Sequence, residues 1–202
     1  ALPIFGLNIG ALSTLAEKQY HPKEVTLDGL EQFNTPFEDM TVNAYMVWDP
    51  KTREAAVFDT GSDASGILAE AAAKGLTIRH IFITHTHGDH IYDLDRLREK
   101  TGATVWVGDR EPVAGATAFA PGKSWQIGVL QIESRLTWGH SPGGVTYVVN
   151  GLSRPVAIVG DSIFAGSMGG GGVSYSDAVK NNLEKILTLP TNTDRKSTRL
   201  NS

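Results

Sequence analysis

The chain has 202 residues, with 18 Lys and Arg against 22 Asp and Glu, and so a formal net charge of −4. This length suits one domain, and a 41% hydrophobic composition is enough for a buried core. No run of Lys or Arg is long enough to follow a phosphate backbone, so nucleic acid is not an expected partner. Because the chain has no Cys, any metal site must use His and carboxylates.

The N-terminal apolar stretch, residues 1–12, is too short to cross a bilayer and lacks the positive flank of a signal peptide. It is interpreted as a chain end and not as an anchor. No membrane partner is expected, and a cytoplasmic location is the default expectation.

The first elements alternate between strand and helix patterns. Residues 40–48 and 55–58 are rich in apolar and β-branched residues around the turn DPKTRE, which predicts a β-hairpin. Apolar residues at helical spacing predict a helix over residues 64–74, ended by Gly75. The apolar run at residues 81–84 predicts a short strand directly before a histidine cluster.

The rest of the chain continues this mixture. A helix is predicted over Ile91, Leu94 and Leu97, with Asp89 in the position of an N-cap. A last helix is predicted over residues 177–187, before Pro190. Four strand regions are predicted between them: ATVWVG, WQIGVLQIESRLTW, GVTYVVN and PVAIVG. This order implies an α/β or α+β sandwich of sheets covered by helices.

The candidate chemistry lies in a cluster of three histidines and one aspartate within six residues. On an extended segment His85 and His87 point the same way, because side chains alternate with period two, so they can share one metal. Asp89 and His90 follow where the chain turns into a helix, face another direction, and suit a second ion nearby. The spacing therefore predicts a two-metal pocket.

Two distant residues are candidates to complete this pocket. His140 in GHSPGG and Asp161 in GDSIF each follow a strand in a glycine-rich turn. Such turns bring side chains to the rim of a sheet, where ligand sites form.

The motifs THTHGDH, GHSPGG and GDSIF, in this order over roughly residues 40–190, resemble the metallo-β-lactamase-fold superfamily of hydrolases, and its compact glyoxalase II-like branch in particular. The resemblance implies a four-layer αββα sandwich. It further implies that His85, His87 and His140 bind a first metal, that Asp89 and His90 bind a second, and that Asp161 bridges the two. Asp59 in VFDTG would order the histidine loop by hydrogen bonds.

The implied cofactor is a pair of Zn²⁺ ions. A metal-bound hydroxide would attack a carbonyl carbon, with Asp89 orienting it. The leading hypothesis is a hydrolase of a small thioester, lactone or similar ester; a β-lactam substrate is open on the fold alone. For a glutathione thioester, Arg or Lys would be expected soon after the GD motif to bind the carboxylate. Between Asp161 and Lys180, however, the sequence has no basic residue. The glycines at 169–172 suggest a mobile loop there.

The end of the chain departs from the family pattern. Family members supply another His to the second metal in a turn after the last helix and strand, but no His follows His140. The polar residues 193–202 are predicted to be a disordered or non-native tail of a truncated chain, unable to form the expected strand. A single domain is therefore assigned to residues 1–192, with the second zinc site weakened.

Two other interpretations are open. A mononuclear Fe²⁺ oxygenase of the same fold, similar to persulfide dioxygenases, would use His85, His140 and Asp161 as a two-His, one-carboxylate triad. A non-catalytic metal-binding relic would hold metal without turning over any ester. His21 and His80 are assigned no function, since a lone His is more often an ordinary surface or core residue.

Overall fold

A computed structural model describes residues 26–197 of the chain. The strands are β1 Leu30–Phe37, β2 Met40–Trp48, β3 Glu54–Phe58, β4 Thr77–Phe82, β5 Thr104–Gly108, β6 Thr117–Phe119, β7 Ser124–Ile127, β8 Leu130–Leu136, β9 Val145–Asn150, β10 Val156–Gly160, β11 Ile163–Phe164, β12 Ser167–Met168 and β13 Asp194–Ser197. The helices are α1 Ser65–Lys74, α2 Gly88–Ile91, α3 Leu94–Thr101 and α4 Tyr175–Asn181, which continues into a π-helical turn at Asn182–Ile186.

The strands form two main sheets. The first has the order β1-β2-β3-β4-β5-β6, antiparallel from β1 to β3 and parallel from β3 to β6. The second has the order β13-β10-β9-β8-β7 and is antiparallel except for the parallel pair β10 and β13. Helices α1, α2 and α3 lie in the connections between the parallel strands β3, β4 and β5, as parallel pairing requires.

Three apolar clusters fill the spaces between four layers. One lies between the two sheets, one packs the first sheet against α1 and α3, and a smaller one packs the second sheet against Ile186 and Leu189. In β2 successive side chains point to opposite faces of the sheet. Tyr45 and Val47 lie in the cluster between the sheets, whereas Met46 lies in the cluster that faces the helices. The predicted αββα sandwich is confirmed.

Several predicted elements are found with changed bounds. The hairpin β2–β3 and helix α1 are confirmed, and α1 ends at Gly75 in the left-handed conformation that glycine adopts without strain. The region WQIGVLQIESRLTW is not one strand but the hairpin β7–β8, which turns at Gly128 with φ +54°. The predicted N-cap at Asp89 is wrong, because α2 begins at Gly88 and the Asp89 side chain is buried inside its first turn.

No strand is predicted from the sequence after residue 192, and that prediction is wrong for residues 194–197. β13 pairs with β10 through its main chain, which polar residues at a sheet edge can do. The Arg195 guanidinium supports it by donating to the carbonyls of Ile186, Leu189 and Thr193. The domain boundary at residue 192 stays a prediction.

No helix within residues 26–197 has the length and apolar character that crossing a membrane would need.

Candidate metal centre

The ends of β3, β4, β8 and β10 bring the candidate residues to one edge of the sandwich. Directly after β4, His85 is buried at 2% exposure and His87 is exposed. The His85 Nε2 atom lies 3.0 Å from His87 Nδ1. The HxH spacing therefore brings two ring nitrogens together, as the period of two predicts.

His140 joins this pair from the loop after β8. Its Nε2 atom lies 3.1 Å from His87 Nδ1, and its Nδ1 atom lies 2.8 Å from the Gly170 carbonyl oxygen. The N–H on Nδ1 donates to that carbonyl, which leaves Nε2 with a lone pair toward the other histidines. His85, His87 and His140 thus form one group whose ligand atoms lie within 4.8 Å of one another.

A second group consists of His85, His90 and Asp161, all buried. The His90 Nε2 atom lies 3.6 Å from Asp161 Oδ1 and 3.6 Å from Asp89 Oδ2. The other oxygen of Asp161 lies 3.5 Å from His140 Nε2. Asp161 therefore stands between the two groups, and Asp89 at 4% exposure adds a carboxylate to the second one.

Asp59 supports this site from behind. Its Oδ1 atom accepts the backbone N–H of Thr84 at 2.8 Å, and its Oδ2 atom accepts the Thr84 hydroxyl at 2.7 Å. Oδ2 also lies 2.8 Å from His90 Nδ1. One fully buried carboxylate thus holds the start of the histidine loop and the His90 ring together, and it directs His90 Nε2 toward the carboxylates of Asp89 and Asp161.

The charges around the two groups differ. Burial acts to lower the pKa of His90, but the carboxylates of Asp59, Asp161 and Asp89 outweigh it and raise that pKa. The pKa of His87 is lowered by burial and by the neighbouring His140 and His90 rings. An imidazole that is neutral at pH 7 is ready to donate a lone pair to a metal.

A cation fits the space beside His90. Among the described residues, His90 Nε2 is a buried nitrogen with no hydrogen-bond partner. Its two nearest carboxylate oxygens are both at 3.6 Å, beyond good hydrogen-bond distance. A nitrogen and two carboxylate oxygens around one point form a donor set for a divalent metal that accepts N and O ligands.

Three supporting contacts have no signal in the sequence. The glycines after β12 suggest mobility, yet Gly169 packs against the Asp161 carbonyl and Gly170 accepts from His140. Glu111, after β5, accepts the Ser141 hydroxyl at 3.3 Å.

His80 lies apart from the cluster in β4 and accepts the Trp106 indole N–H at 3.0 Å. His21 lies outside the described residues.

The fold and this cluster together define a metal-binding domain of a known superfamily. Residues 38–193 match the family model of the Metallo-beta-lactamase superfamily. The chain belongs to the metallo-beta-lactamase superfamily, which confirms the resemblance seen in its motifs.

Relatives include the "Probable metallo-hydrolase YqgX" of Bacillus subtilis, 30% identical over 78% of this chain and 84% of that protein. The hydroxyacylglutathione hydrolase of Synechococcus sp. is 32% identical over 74% of this chain and 60% of its own length. The hydroxyacylglutathione hydrolase of Brucella canis is 28% identical over 86% of this chain and 65% of its own length. The chain thus spans less than two thirds of these two hydrolases. Family and ligand groups together support a metal-dependent hydrolase.

Solved structures agree on the fold. The BLEG-1 B3 metallo-beta-lactamase superposes with a TM-score of 0.74 at 26% identity, covering 85% of this chain and 91% of that one. ETHE1 from Myxococcus xanthus gives a TM-score of 0.73 at 24% identity, covering 84% and 76%.

Proposed function

We propose that this chain is a dinuclear zinc hydrolase of a small thioester, lactone or similar ester. The observation that carries the proposal is the position of Asp161, whose two oxygens lie 3.6 Å from His90 Nε2 and 3.5 Å from His140 Nε2. A carboxylate that faces a histidine of each ligand group could be shared by two neighbouring metal ions.

We propose the following metal ligands from the donor set. His85, His87 and His140 would hold the first ion, Asp89 and His90 the second, and Asp161 both. Imidazole and carboxylate donors without Cys suit zinc in an open catalytic site. In this assignment the first ion has three histidines besides the shared Asp161, and the second has only Asp89 and His90 besides it, so we expect the second ion to bind more weakly.

The chemistry divides between cofactor and chain. When bound, zinc lowers the pKa of a coordinated water to about 7 and so supplies hydroxide at neutral pH. Asp89, buried beside His90, would accept a hydrogen bond from the attacking water and orient it. Asp59 keeps the His90 ring turned toward the pocket. His87 is exposed and His140 is half-buried. The substrate would therefore reach the site from the side of these two histidines.

The substrate class rests on the relatives and on the loop beside His140. Two relatives carry the name hydroxyacylglutathione hydrolase, which favours an acyl thioester or another ester. In this chain the loop of Gly169 to Gly172 has no cationic side chain for a glutathione carboxylate. We therefore propose a small ester or thioester as substrate and assign no glutathione-binding role to this loop. A cytoplasmic location stays a prediction.

The alternative is a mononuclear iron oxygenase that uses His85, His140 and Asp161. The 3.5 Å distance from His140 Nε2 to Asp161 is compatible with that triad. The triad does not use the buried Asp89 or His90, whose Nε2 atom has no hydrogen-bond partner among the described residues. The zinc pair would use both residues.

The test is elemental analysis of the purified full chain and of His87→Ala, with His80→Gln as a histidine control distant from the cluster. We expect two zinc ions per chain, fewer in His87→Ala and no change in His80→Gln, together with hydrolysis of members of a thioester and lactone panel. One iron per chain, unchanged in His87→Ala, and oxygen uptake with a persulfide would favour the oxygenase. Bound zinc without turnover on any ester would favour a non-catalytic relic.

A further inference from the structure

Glu111 is a carboxylate in an unusual place for a charged group. It lies in the turn after β5, where its backbone N–H donates to the Gly108 carbonyl at 3.0 Å, and its side chain is only 9% exposed. No motif includes it, and the mechanism proposed above does not use it. A buried carboxylate is costly unless its oxygens find donors, so the identity of those donors matters.

The donors come from the two loops that carry the first metal group. The Ser141 hydroxyl, next in the chain after His140, donates to Glu111 Oε2 at 3.3 Å. The backbone N–H groups of Gly143 and Thr86 also favour the charged form of this carboxylate, and Gly143 packs directly against the Glu111 side chain. Thr86 lies between His85 and His87. One side chain is therefore shared by the histidine loop after β4 and the His140 loop after β8.

The close approach is built into the sequence of the His140 loop. A Cβ atom on Gly143 would lie 3.0 Å from Glu111 Cγ and 3.2 Å from the Glu111 backbone nitrogen. A side chain at 143 would therefore require Glu111 or the loop to shift by a few tenths of an ångström. The PGG turn thus lets the loop lie directly on this carboxylate.

A backbone hydrogen bond also links the two loops, at their bases. There the Val145 N–H donates to the Thr84 carbonyl at 2.8 Å. Closer to the site, the His140 Nε2 atom lies 3.1 Å from His87 Nδ1, and Glu111 adds a link through the residue that follows His140. Burial raises the pKa of Glu111, while the Ser141 hydroxyl and the two backbone N–H groups oppose that rise by stabilising the charged form.

We infer that Glu111 is a positioning residue that holds the His140 loop at a fixed distance from the His85–His87 loop and thereby sets the affinity of the three-histidine metal group. It does not touch the ligand nitrogens. It acts through the backbone of Thr86 and the Ser141 hydroxyl, as supporting residues around metal ligands do. The inference rests on the proposed metal site.

The experiment measures zinc affinity of the full chain by competition with a chromophoric chelator, and unfolding of the metal-free protein by urea. Glu111→Ala should weaken the first zinc ion by about 10- to 100-fold. Glu111→Gln keeps one acceptor oxygen and should fall between wild type and Glu111→Ala. The matched control is Glu133→Gln, a half-exposed glutamate on β8 that pairs with Arg135; its zinc affinity should equal that of wild type.

A double variant separates positioning from a general loss of structure. If Glu111 acts through Ser141, the variant with both Ser141→Ala and Glu111→Ala should bind zinc no more weakly than Glu111→Ala alone. If Glu111→Ala lowers the free energy of unfolding of the metal-free protein but leaves the zinc affinity of the folded protein unchanged, the inference is overturned. The proposed function would then remain intact. Failure of the wild-type chain to bind zinc would overturn the proposed function and this inference with it.

Discussion

Gly169 and Gly170 are neighbours in the chain but have different surroundings. A Cβ atom on Gly169 would overlap the Asp161 carbonyl oxygen and lie 3.3 Å from His140 Nδ1. A Cβ atom on Gly170 would meet nothing within 4 Å. Gly170 contributes only its carbonyl oxygen, 2.8 Å from His140 Nδ1. The first position thus requires glycine for space, whereas the second tolerates a side chain.

This difference gives a matched pair of variants. Gly169→Ala should displace Asp161 or His140 and weaken zinc binding by about 10- to 100-fold, the usual effect of disturbing groups around metal ligands. Gly170→Ala keeps the carbonyl and should bind zinc as wild type does. Both affinities are measured by competition with a chelator. Equal affinities for the two variants would show that the loop does not position His140.

At the residue scale, the sequence predicts the ligand candidates better than their supports. His85, His87, Asp89 and His90 form one local motif, so their proximity follows from chain geometry. Asp161 and His140 required the order of three motifs. The partners of Glu111 and Gly170 lie 30 residues away along the chain with no pattern between them, so only the folded structure shows them.

At the scale of elements, one carboxylate joins the two sheets. Asp49 lies in the turn between β2 and β3, at the opposite end of β3 from Asp59. Its Oδ1 atom accepts the Lys51 N–H at 2.8 Å, and its Oδ2 atom accepts the Val129 N–H at 3.0 Å from the β7–β8 turn of the other sheet. A side chain on Gly128 would overlap this carboxylate. Asp49 therefore fastens two hairpins to each other.

This contact predicts a pH-dependent stability. The Lys51 N–H, with further help from Val129, lowers the pKa of Asp49 below its usual value of 3.8 despite the opposing effect of burial. Because the folded pKa is the lower one, the stabilisation is present above the unfolded pKa and is lost as pH falls through the folded pKa. The free energy of unfolding of wild type should thus exceed that of Asp49→Asn by an amount that shrinks as the pH falls below 3.8, the usual value for Asp, and through the lower folded pKa.

Urea unfolding at each pH measures this difference. Asp95→Asn, an exposed position on α3, is the control and should change stability by no more than about 0.5 kcal/mol. A difference between wild type and Asp49→Asn that stays constant or grows in acid would show that the carboxylate charge does not hold the two turns together.

Elements whose own residues show strand or helix periodicity could be predicted from the sequence. Elements that form only by pairing with another strand could not. The alternation in β2 and the helical spacing in α1 come from the chain itself. β13 has polar residues throughout, and its strand conformation comes from pairing with β10. The turn at Gly128 interrupts an apolar run whose pattern continues across it, so the run alone does not reveal the hairpin β7–β8.

At the scale of the whole molecule, an aromatic cluster between the sheets lies directly behind the site. Phe82, the last residue of β4, stacks on Phe58 at 5.4 Å and contacts Trp125 at 4.8 Å and Tyr147 at 5.1 Å between ring centroids. Its carbonyl accepts the Asp59 N–H at 2.9 Å. Phe82 therefore belongs to the core and also contacts Asp59, which supports the histidine loop after β4.

We expect Phe82→Ala to lower the free energy of unfolding by about 3–5 kcal/mol, as removal of a buried aromatic ring does. Tyr175→Ala, at 66% exposure, should change it by at most about 0.5 kcal/mol. Zinc at about 100 times its dissociation constant should add roughly 2.7 kcal/mol to wild type. The same zinc concentration should add less to Phe82→Ala. In that variant the end of β4 would shift and displace both Asp59 and His85 from their positions in the site. An equal gain in both proteins, measured by urea unfolding with and without zinc, would mean that the site keeps its geometry independently of the core.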